Sequence, residues 1–470
     1  MAYADYYKEF PYNTILRLMA PVPLYNEACP GDIHAIGRRE LAFSYSITKN
    51  GKVGTAFQRY QSLKTGGEVS LVVQLSRKLV NGRPIKIEIG PVYSLEPHIT
   101  RKCHSRVEWR ELIFDLDITP EYNGFRACPC TADPPPSFLC KLCWPFIAAG
   151  VHCLDYLLRI HFGYDDLLWT FSGRRGIHCQ VLDPQAAVMS ADARRTVSEF
   201  FERLWKADQQ NSKGIFLDPR KPYLSHLYNS ILLPRFERLV ETTALNLSCN
   251  KALTVIANCF SSPRESQRIK LFLDDVAQNP RSSSDVWAQL SALATQLTCK
   301  DHLPKIVYSI LFPKLDLGVT KAANHLLRCP MSIHHETEGI AVPLILEDID
   351  SVDVVRLPCL RRRETLVNLK RYMADFELCL QSRLAFANFL VCMHCAESVQ
   401  DLKKLPDNIV FMTNKFEWKE HQRQMHPTSL YTADISTLRM LIGRRSRRED
   451  GTQDWPLKVE CYKTLNKKFG

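Results

Sequence analysis

The sequence lacks the features that mark membrane, secreted and repetitive proteins. No run of 18 apolar residues occurs in it, which argues against a membrane-spanning helix. The first ten residues, MAYADYYKEF, contain no basic segment followed by an apolar one, which argues against a secretory signal peptide. Internal repeats and long low-complexity segments are also absent. We therefore expect a globular protein that has no membrane among its partners.

Cysteine and charge are the informative parts of the composition. The 17 cysteines are an odd number spread over 470 residues, which suits a reducing compartment better than a disulfide framework. Lys and Arg outnumber Asp and Glu by 61 to 50, a formal net charge of +11. A basic excess favours anionic partners such as nucleic acid or nucleotides. The chain length predicts two to four domains.

The segment Glu111–Ile118, which reads ELIFDLDI, alternates side chains with a period of two. This pattern is typical of a β-strand, whose successive side chains point to opposite faces. Asp115 and Asp117 then leave the face opposite the core side chains, with their Cα atoms about 6.5 Å apart. Two carboxylates at that spacing can share one divalent ion or hold a pair of ions. The alternative for a lone DxD motif is a solvated edge strand.

Four cysteines follow in the segment FRACPCTADPPPSFLCKLCW. Cys128 and Cys130, then Cys140 and Cys143, form C-x-C and C-x-x-C pairs around a proline-rich loop. Four thiolates at this spacing can surround zinc tetrahedrally, and a site closed in this way is structural. The alternative is four unrelated buried thiols. We predict a zinc module over residues 126–144.

A basic turn, SGRRG, separates two predicted strands, Leu167–Phe171 and residues 177–182. Backbone N–H groups and cations collected in one glycine-containing turn can hold a polyphosphate. The side chains gathered there are Ser172, Arg174, Arg175 and, from the second strand, His178. The alternative is an ordinary basic hairpin.

Two further strand patterns precede the acidic strand. The Asn-Gly dipeptide at 50–51 predicts a hairpin whose second strand carries Arg59. Lys86–Ile89 predicts a short strand that ends at Gly90-Pro91. Ahead of both, the apolar spacing over residues 1–30 predicts helix.

The segment FPKLDLGVT, residues 312–320, predicts a strand that presents Asp316 on the face opposite its apolar side chains. The following KAANHLLR predicts a helix that places His325 and Arg328 one turn apart on one face. His334 lies just beyond. Asp316 is thus a third candidate acid, with two candidate phosphate contacts after it.

The pattern of predicted elements divides the chain into four parts. Residues 1–190 form the first part of a core and include the zinc module, and residues 311–360 form its second part. Helical periodicity dominates residues 191–310, which we predict to be an inserted helical subdomain. Residues 361–470 are predicted to be a helical, basic tail.

The tail contains a C-x-x-C pair and an H-x-x-x-x-H pair, which resemble zinc-finger ligands. These residues are Cys392, Cys395, His421 and His426. The gap of 25 residues between the pairs is longer than usual for a zinc finger. The alternative to a second zinc site is therefore a pair of helical thiols and two unrelated surface histidines. The cluster Arg444–Arg448 fits a nuclear import signal, a nucleic-acid contact or a solvated charge run.

Taken together, the motifs resemble the small, catalytic subunit of the archaeal-eukaryotic type of DNA primase, and the eukaryotic members most. The resemblance extends from about residue 5 to about residue 350 and keeps the family's motif order. It rests on YYKEFPY, FQRYQS, KIEIGPVYS, ELIFDLDIT, the four-cysteine array, LWTFSGRRGIHCQV and FPKLDLGVTKAANHLLRCPMSIH.

This resemblance implies a role for each candidate residue. Asp115, Asp117 and Asp316 would hold two Mg²⁺ or Mn²⁺ ions. The triphosphate contacts would be Ser172, Arg174, Arg175, His178, Arg328 and His334, with Arg59 and Lys86 adding to the nucleotide pocket. His325 would orient a neighbour or contact the nucleotide. The family usually has Lys at the position of Arg328 and Asp near Glu88, and these departures keep the charge but alter the reach.

The fold implied is α/β of the α+β kind: a mixed-sheet primase catalytic core with a structural zinc module and a helical insertion. The implied activity is template-directed synthesis of RNA primers on single-stranded DNA from NTPs, in the nucleus. The implied partners are a large regulatory primase subunit and the DNA polymerase alpha complex. A repair primase-polymerase that prefers dNTPs is the alternative. A catalytically silent relative is disfavoured, since every expected acid and cation is present.

Overall fold

The computed structural model describes most of the first 387 residues and two short pieces beyond them. The described residues are 3–21, 33–49, 52–64, 66–100, 103, 105–118, 122, 125–128, 130, 139–210, 222–260, 262–362, 365–387, 390–391 and 411–412. The chain groups into two compact units, Met1–Gln381 and Ser382–Gly470. The candidate second zinc ligands in the tail and the cluster Arg444–Arg448 lie outside the described residues. Their roles stay predictions, as do the predicted domain bounds.

The strands in chain order are β1 Arg39–Lys49, β2 Lys52–Gln61, β3 Lys86–Tyr93, β4 Val107–Trp109, β5 Leu112–Asp117, β6 Leu167–Phe171, β7 Gly176–Val181, β8 Leu327–Arg328, β9 Pro343–Leu344, β10 Leu390–Val391 and β11 Phe411–Met412. In the first unit they form two sheets. One has the order β2-β1-β3-β4, with β8 also paired to β3, and the other has the order β5-β7-β6-β9. The recorded pairings are antiparallel.

The helices are α1 Tyr3–Lys8, α2 Tyr12–Met19, α3 Glu68–Gly82, α4 Pro97–Thr100, α5 Trp144–Tyr156, α6 Pro184–Ala187, α7 Ala191–Gln210, α8 Pro222–His226, α9 Leu233–Val240, α10 Asn250–Asn258, α11 Pro263–Gln278, α12 Ser283–Gln296, α13 Leu303–Leu311, α14 Leu317–Lys321 and α15 Thr365–Ala387. Segments Leu157–His161 and Leu227–Leu232 are π-helical. The α+β fold is therefore confirmed. Helices α7 to α13 contain most of the described residues between 191 and 311. Within the described part of the chain, no helix is long and apolar enough to cross a bilayer.

The acidic strand β5 forms as its alternation predicts. Leu112, Phe114 and Leu116 are each no more than 1% exposed and join the main core. Helix α5 is apolar on nearly all sides and is buried, and Gly163, with a φ of +75°, ends the π-helical turn that continues it. A buried strand and a buried helix thus fix the backbone that carries Asp115 and Asp117.

The strand predicted for Lys86–Ile89 is longer than expected, because β3 continues through Gly90-Pro91 to Tyr93. The pairing with β1 shifts register between Arg39 and Leu41, so the ladder accommodates the proline in an irregularity. A Cβ on Gly90 would lie 2.8 Å from the Cβ of Glu40, so only glycine fits this close approach. The Gly-Pro pair is therefore a feature within the strand.

Two predictions around Asp316 are wrong. Only Leu315 makes a strand-like bridge, to Leu116, after which the chain turns into helix α14. The Asp316 carboxylate accepts a hydrogen bond from the Gly318 N–H at 2.9 Å, so this side chain caps the start of α14. The alternation pattern had predicted a strand at this point. The helix predicted for KAANHLLR is absent, since α14 ends at Lys321 and Arg328 lies in β8.

Candidate active site

The three candidate acids lie together where β5 meets the start of α14. The Asp316 N–H donates to the Asp115 carbonyl oxygen at 3.0 Å, and the Leu116–Leu315 bridge lies beside this contact. Asp115 is partly buried, whereas Asp117 and Asp316 are exposed. The backbone therefore brings the third acid, some 200 residues later in sequence, to the acidic strand.

Two of the three acids, Asp115 and Asp117, have raised pKa values. Burial, and then repulsion by Asp316, raise the pKa of Asp115 to about 7. Asp117 keeps surface in contact with solvent, yet desolvation by the surrounding protein, and then repulsion by Asp115, raise its pKa to about 6. The Asp115 Oδ1 atom is buried and has no hydrogen-bond partner among the residues that the structure describes. A buried, unpartnered carboxylate oxygen beside two further carboxylates is a donor set that suits Mg²⁺ or Mn²⁺.

A glycine makes room for Asp117. Gly176 is the register partner of Asp117 across the β5–β7 ladder. A Cβ at Gly176 would lie 1.6 Å from Asp117 Oδ1 and 2.5 Å from the Leu116 carbonyl oxygen. The second glycine of SGRRG thus serves the acid cluster, because any side chain there would displace the carboxylate.

The turn Ser172–Gly176 connects β6 to β7 at the edge of the acid cluster. Ser172 closes it: its N–H donates to the Gly176 carbonyl at 2.9 Å, and its Oγ accepts from the Gly176 N–H at 3.1 Å. Gly173 has a φ of +87°, where a side chain is disfavoured. Thr337 Oγ1 donates to the Gly173 carbonyl at 2.8 Å, which ties the turn to a later loop. The backbone therefore fixes the positions of Arg174 and Arg175.

Cations predicted for the phosphate pocket act on the acids from both sheets. His178, then Arg174 and Arg175, oppose the rise in the pKa of Asp117, and Arg328 opposes the rise in the pKa of Asp115. Arg328 lies on β8 and its Nη1 donates to the Ile333 carbonyl at 2.8 Å. Burial lowers the Arg328 pKa to about 10, so the side chain stays charged at neutral pH.

Both histidines of the predicted pocket are neutral at physiological pH. His178 faces Asp115 across the β5–β7 ladder, with its Nε2 3.7 Å from Asp115 Oδ1. Burial lowers the His178 pKa to about 4. Burial, and then the charge of Arg328, lower the His334 pKa to about 2. Each ring can therefore exchange hydrogen bonds with a phosphate without carrying a charge of its own.

Lys86 on β3 and Arg59 on β2 lie in the sheet that also contains β8, and each forms an ion pair with a glutamate. Lys86 Nζ is 2.7 Å from Glu88 Oε1, opposite Arg328 in the β3–β8 pairing. Arg59 contacts the fully buried Glu40 at 2.8 Å and donates to the Asn324 carbonyl at 2.8 Å. Arg59 thus holds the loop between α14 and β8.

His325 belongs to that same loop and shares no helix face with Arg328. Its carbonyl accepts a hydrogen bond from Arg110 Nη2 at 2.8 Å, and burial lowers its pKa. The prediction of a shared helix face is therefore wrong, while a contact of His325 with nucleotide stays untested.

Sequence reasoning missed two carboxylates next to the predicted cations. Glu336 Oε2 is 2.7 Å from Arg174 Nη2, and the buried Glu40 holds Arg59. Glu336 follows the predicted His334 by two residues, so proximity to that motif was the available signal. Glu40 carried no signal, because it begins an ordinary strand pattern.

The four predicted zinc ligands converge. The Sγ atoms of Cys128, Cys130, Cys140 and Cys143 all lie within 4.8 Å of one another, so together they could enclose a single ion. Arg126 Nη1 donates to Cys143 Sγ at 2.8 Å, as expected for a thiolate ligand. These residues fit tetrahedral zinc.

The thiol cluster and the acidic strand hold the turn from two sides. The Leu139 N–H donates to the Arg174 carbonyl at 3.3 Å, next to Cys140, and the Ile118 N–H donates to the Arg175 carbonyl at 3.3 Å. Both arginines of the turn are therefore anchored through their backbone.

Comparison with known proteins gives a consistent result. A family model described as DNA primase small subunit matches residues 114–346, which include the acids, the turn and Arg328. The chain is 30% identical over 311 residues to the DNA primase small subunit of Saccharomyces cerevisiae, covering 62% of this chain and 70% of that protein. It is 29% identical over 299 residues to that of Drosophila melanogaster, covering 61% and 67%. For Schizosaccharomyces pombe the identity is 28% over 337 residues, 68% of each chain. This similarity, which covers more than two thirds of each of these relatives, confirms the resemblance found in the motifs: the chain belongs to the DNA primase small subunit family.

Proposed function

We propose that the protein is the catalytic subunit of a DNA primase, which synthesises short RNA primers on single-stranded DNA from NTPs. The observation that carries the proposal is the juxtaposition of three acids with cations from both sheets. Asp115 has an unpartnered buried oxygen among the described residues, and the charges of Arg328 and the SGRRG turn act on the acids. An anionic substrate bridged to the acids by divalent cations would satisfy both sets of charges.

In this proposal, Asp115, Asp117 and Asp316 hold the divalent ions. When bound, such ions would activate the attacking 3′-hydroxyl and stabilise the charge on the triphosphate. Family membership makes a nucleotidyltransferase the reaction class that fits, with pyrophosphate as leaving group. The protein's own work is to position the reactants and to neutralise charge.

The triphosphate would lie between the turn and β8. Arg174 and Arg175 would contact it from the turn together with Ser172, and Arg328 would contact it from the opposite sheet. Neutral His178 and His334 would share hydrogen bonds with its oxygens. Lys86 would line the pocket, and Arg59 would position the loop that precedes Arg328.

The thiol cluster would hold one structural zinc. Its place beside the turn, through the Leu139–Arg174 hydrogen bond, suits a role in keeping the two arginines in position. The net charge of +11 suits a template strand as partner. A large regulatory primase subunit, the DNA polymerase alpha complex and a nuclear location complete the proposal, consistent with the eukaryotic relatives.

Primer synthesis on poly(dT) with ATP, with and without a large subunit, tests this function. We expect RNA products that need a divalent cation, and none from the Asp117→Asn variant. The same assay with dATP tests the sugar. Products from dATP in preference to ATP would instead favour the repair primase-polymerase, and no product from either nucleotide in the complex would overturn the enzyme assignment.

A further inference from the structure

One ion pair in the site joins a cation of the turn to a carboxylate of a later loop. Glu336 Oε2 lies 2.7 Å from Arg174 Nη2, with side chains 44% and 34% exposed. His335 Nε2 is 3.5 Å from the other carboxylate oxygen of Glu336. Arg174 therefore already has an anionic partner in the protein without nucleotide.

The backbone builds this contact. Thr337 Oγ1 donates to the Gly173 carbonyl at 2.8 Å, and a Cβ at Gly339 would lie 2.3 Å from that same oxygen. The His334 N–H donates to the Gly339 carbonyl at 2.8 Å, which closes the loop 334–339. The loop 334–339 therefore packs directly against the turn, and its backbone fixes the position from which Glu336 contacts Arg174.

A carboxylate and a phosphate offer the same kind of acceptor to a guanidinium group. One Arg174 side chain cannot give the same N–H groups to Glu336 and to a triphosphate. A half-exposed ion pair is weak, so a multiply charged ligand can displace the carboxylate. Once displaced, Glu336 still lies beside the anion and repels it.

We propose that Glu336 is an internal competitor for the triphosphate: it occupies Arg174 in the nucleotide-free protein and lowers the affinity for NTP. The inference rests on the proposed function, which assigns Arg174 to the triphosphate. Glu336 would set the NTP concentration at which the enzyme works while leaving the chemical step unchanged.

The test compares isosteric substitutions on one loop in the full chain. Glu338, two residues away, contacts Arg361 at 3.2 Å, so Glu338→Gln is the matched control. We expect Glu336→Gln to lower the Kd for ATP, measured by calorimetry, by about two- to five-fold, as expected for removal of a weak ion pair. Glu338→Gln should leave the Kd unchanged. The tightening should shrink in an Arg174→Ala background, because the competition for Arg174 is then gone.

The outcomes separate the two proposals. If unsubstituted protein binds ATP and Glu336→Gln binds it equally well, the inference is wrong. Weaker binding by Glu336→Gln would also overturn it and would show that Glu336 positions Arg174. If unsubstituted protein binds no ATP, the triphosphate site itself is wrong, and the inference with it. Equal melting temperatures of the two glutamine variants would show that the comparison reports on binding.

Discussion

Two clusters of potential metal ligands lie on either side of the Ser172–Gly176 turn, and they differ in how their ligand atoms are satisfied. The four thiols converge within 4.8 Å, and Arg126 contacts one of them. The acid cluster contains a buried oxygen, Asp115 Oδ1, without a hydrogen-bond partner in the described part of the chain. Asp117 and Asp316 remain exposed.

This difference separates a structural site from a reactive one. A closed set of four protein ligands leaves no position for substrate, whereas an open set of carboxylates leaves coordination positions for phosphate oxygens. Desolvation and repulsion from a neighbouring carboxylate raise the pKa values of Asp115 and Asp117, so the charged forms of these two acids destabilise the fold. A bound divalent ion would offset that cost.

The largest expected effect comes from neutralising one acid. Asp115→Asn, Asp117→Asn and Asp316→Asn should each lower primer synthesis by at least about 10²–10³-fold, because each removes a preorganised charge. Asn is as good a helix cap as Asp, so Asp316→Asn keeps the start of α14. Assays on poly(dT), with thermal melts as control, check this. Loss of cooperative melting in all three variants would make the acids structural.

Removing ligands from the thiol cluster should instead lower the stability of the folded protein. Purified protein should contain at least one zinc per chain, and Cys128→Ser with Cys130→Ser should lose it and melt at lower temperature, because structural zinc contributes folding free energy. Cys103→Ser, an exposed thiol outside the cluster, is the control. Protein prepared without chelator that contains no zinc would contradict the assignment. Two zincs per chain, one lost on replacing Cys392, would establish a finger in the tail.

A methyl group added at Gly176 tests the packing of the acid cluster. Gly176→Ala should lower stability by about 1–3 kcal/mol and reduce primer synthesis, because the Cβ would occupy the place of Asp117 Oδ1. Gly54→Ala on β2 is the matched control, since the nearest atom to its Cβ is 4.0 Å away. Denaturant melts and synthesis assays measure both effects. Equal behaviour of the two variants would mean that Asp117 can move without consequence.

The raised acid pKa values predict how metal-free stability depends on pH. The pKa of Asp115 is about 7 in the folded protein and about 3.9 when unfolded, so folding favours the protonated form and stability falls as pH rises from about 4 to 7. Histidines and other carboxyl groups titrate in the same pH range. The informative quantity is therefore the difference in melting temperature between unsubstituted protein and Asp115→Asn. In EDTA, the melting-temperature advantage of the variant should grow over this range. Mg²⁺ should reduce it, and a pH-independent difference would contradict the coupling.

The sequence predicted the local features of the two clusters better than the contacts between distant segments. Periodicity placed Asp115 and Asp117 on one face of β5, and cysteine spacing identified all four thiols, because both signals are local. Asp316 was identified as an acid of the site, but its setting was wrong, since a capping hydrogen bond converted a strand pattern into a helix start. The pairing of Glu336 with Arg174 could not be predicted, because it depends on a contact between residues more than 150 positions apart.

The smallest expected effect comes from Arg328→Lys, which changes the shape of a cation and keeps its charge. The motif resemblance implies Lys at this position in related proteins, so we expect most activity to remain. The cost should be about 0.5–1.5 kcal/mol of stability, for the hydrogen bond to the Ile333 carbonyl. Arg328→Ala should instead weaken ATP binding by roughly 1.5–3 kcal/mol, with a higher KM, and leave template affinity nearly unchanged. Calorimetry with ATP and fluorescence anisotropy with single-stranded DNA on both variants measure this. If Arg328→Ala lost template binding but kept ATP binding, Arg328 would belong to a nucleic-acid surface, and the acid cluster would need another cation to hold the triphosphate opposite the turn.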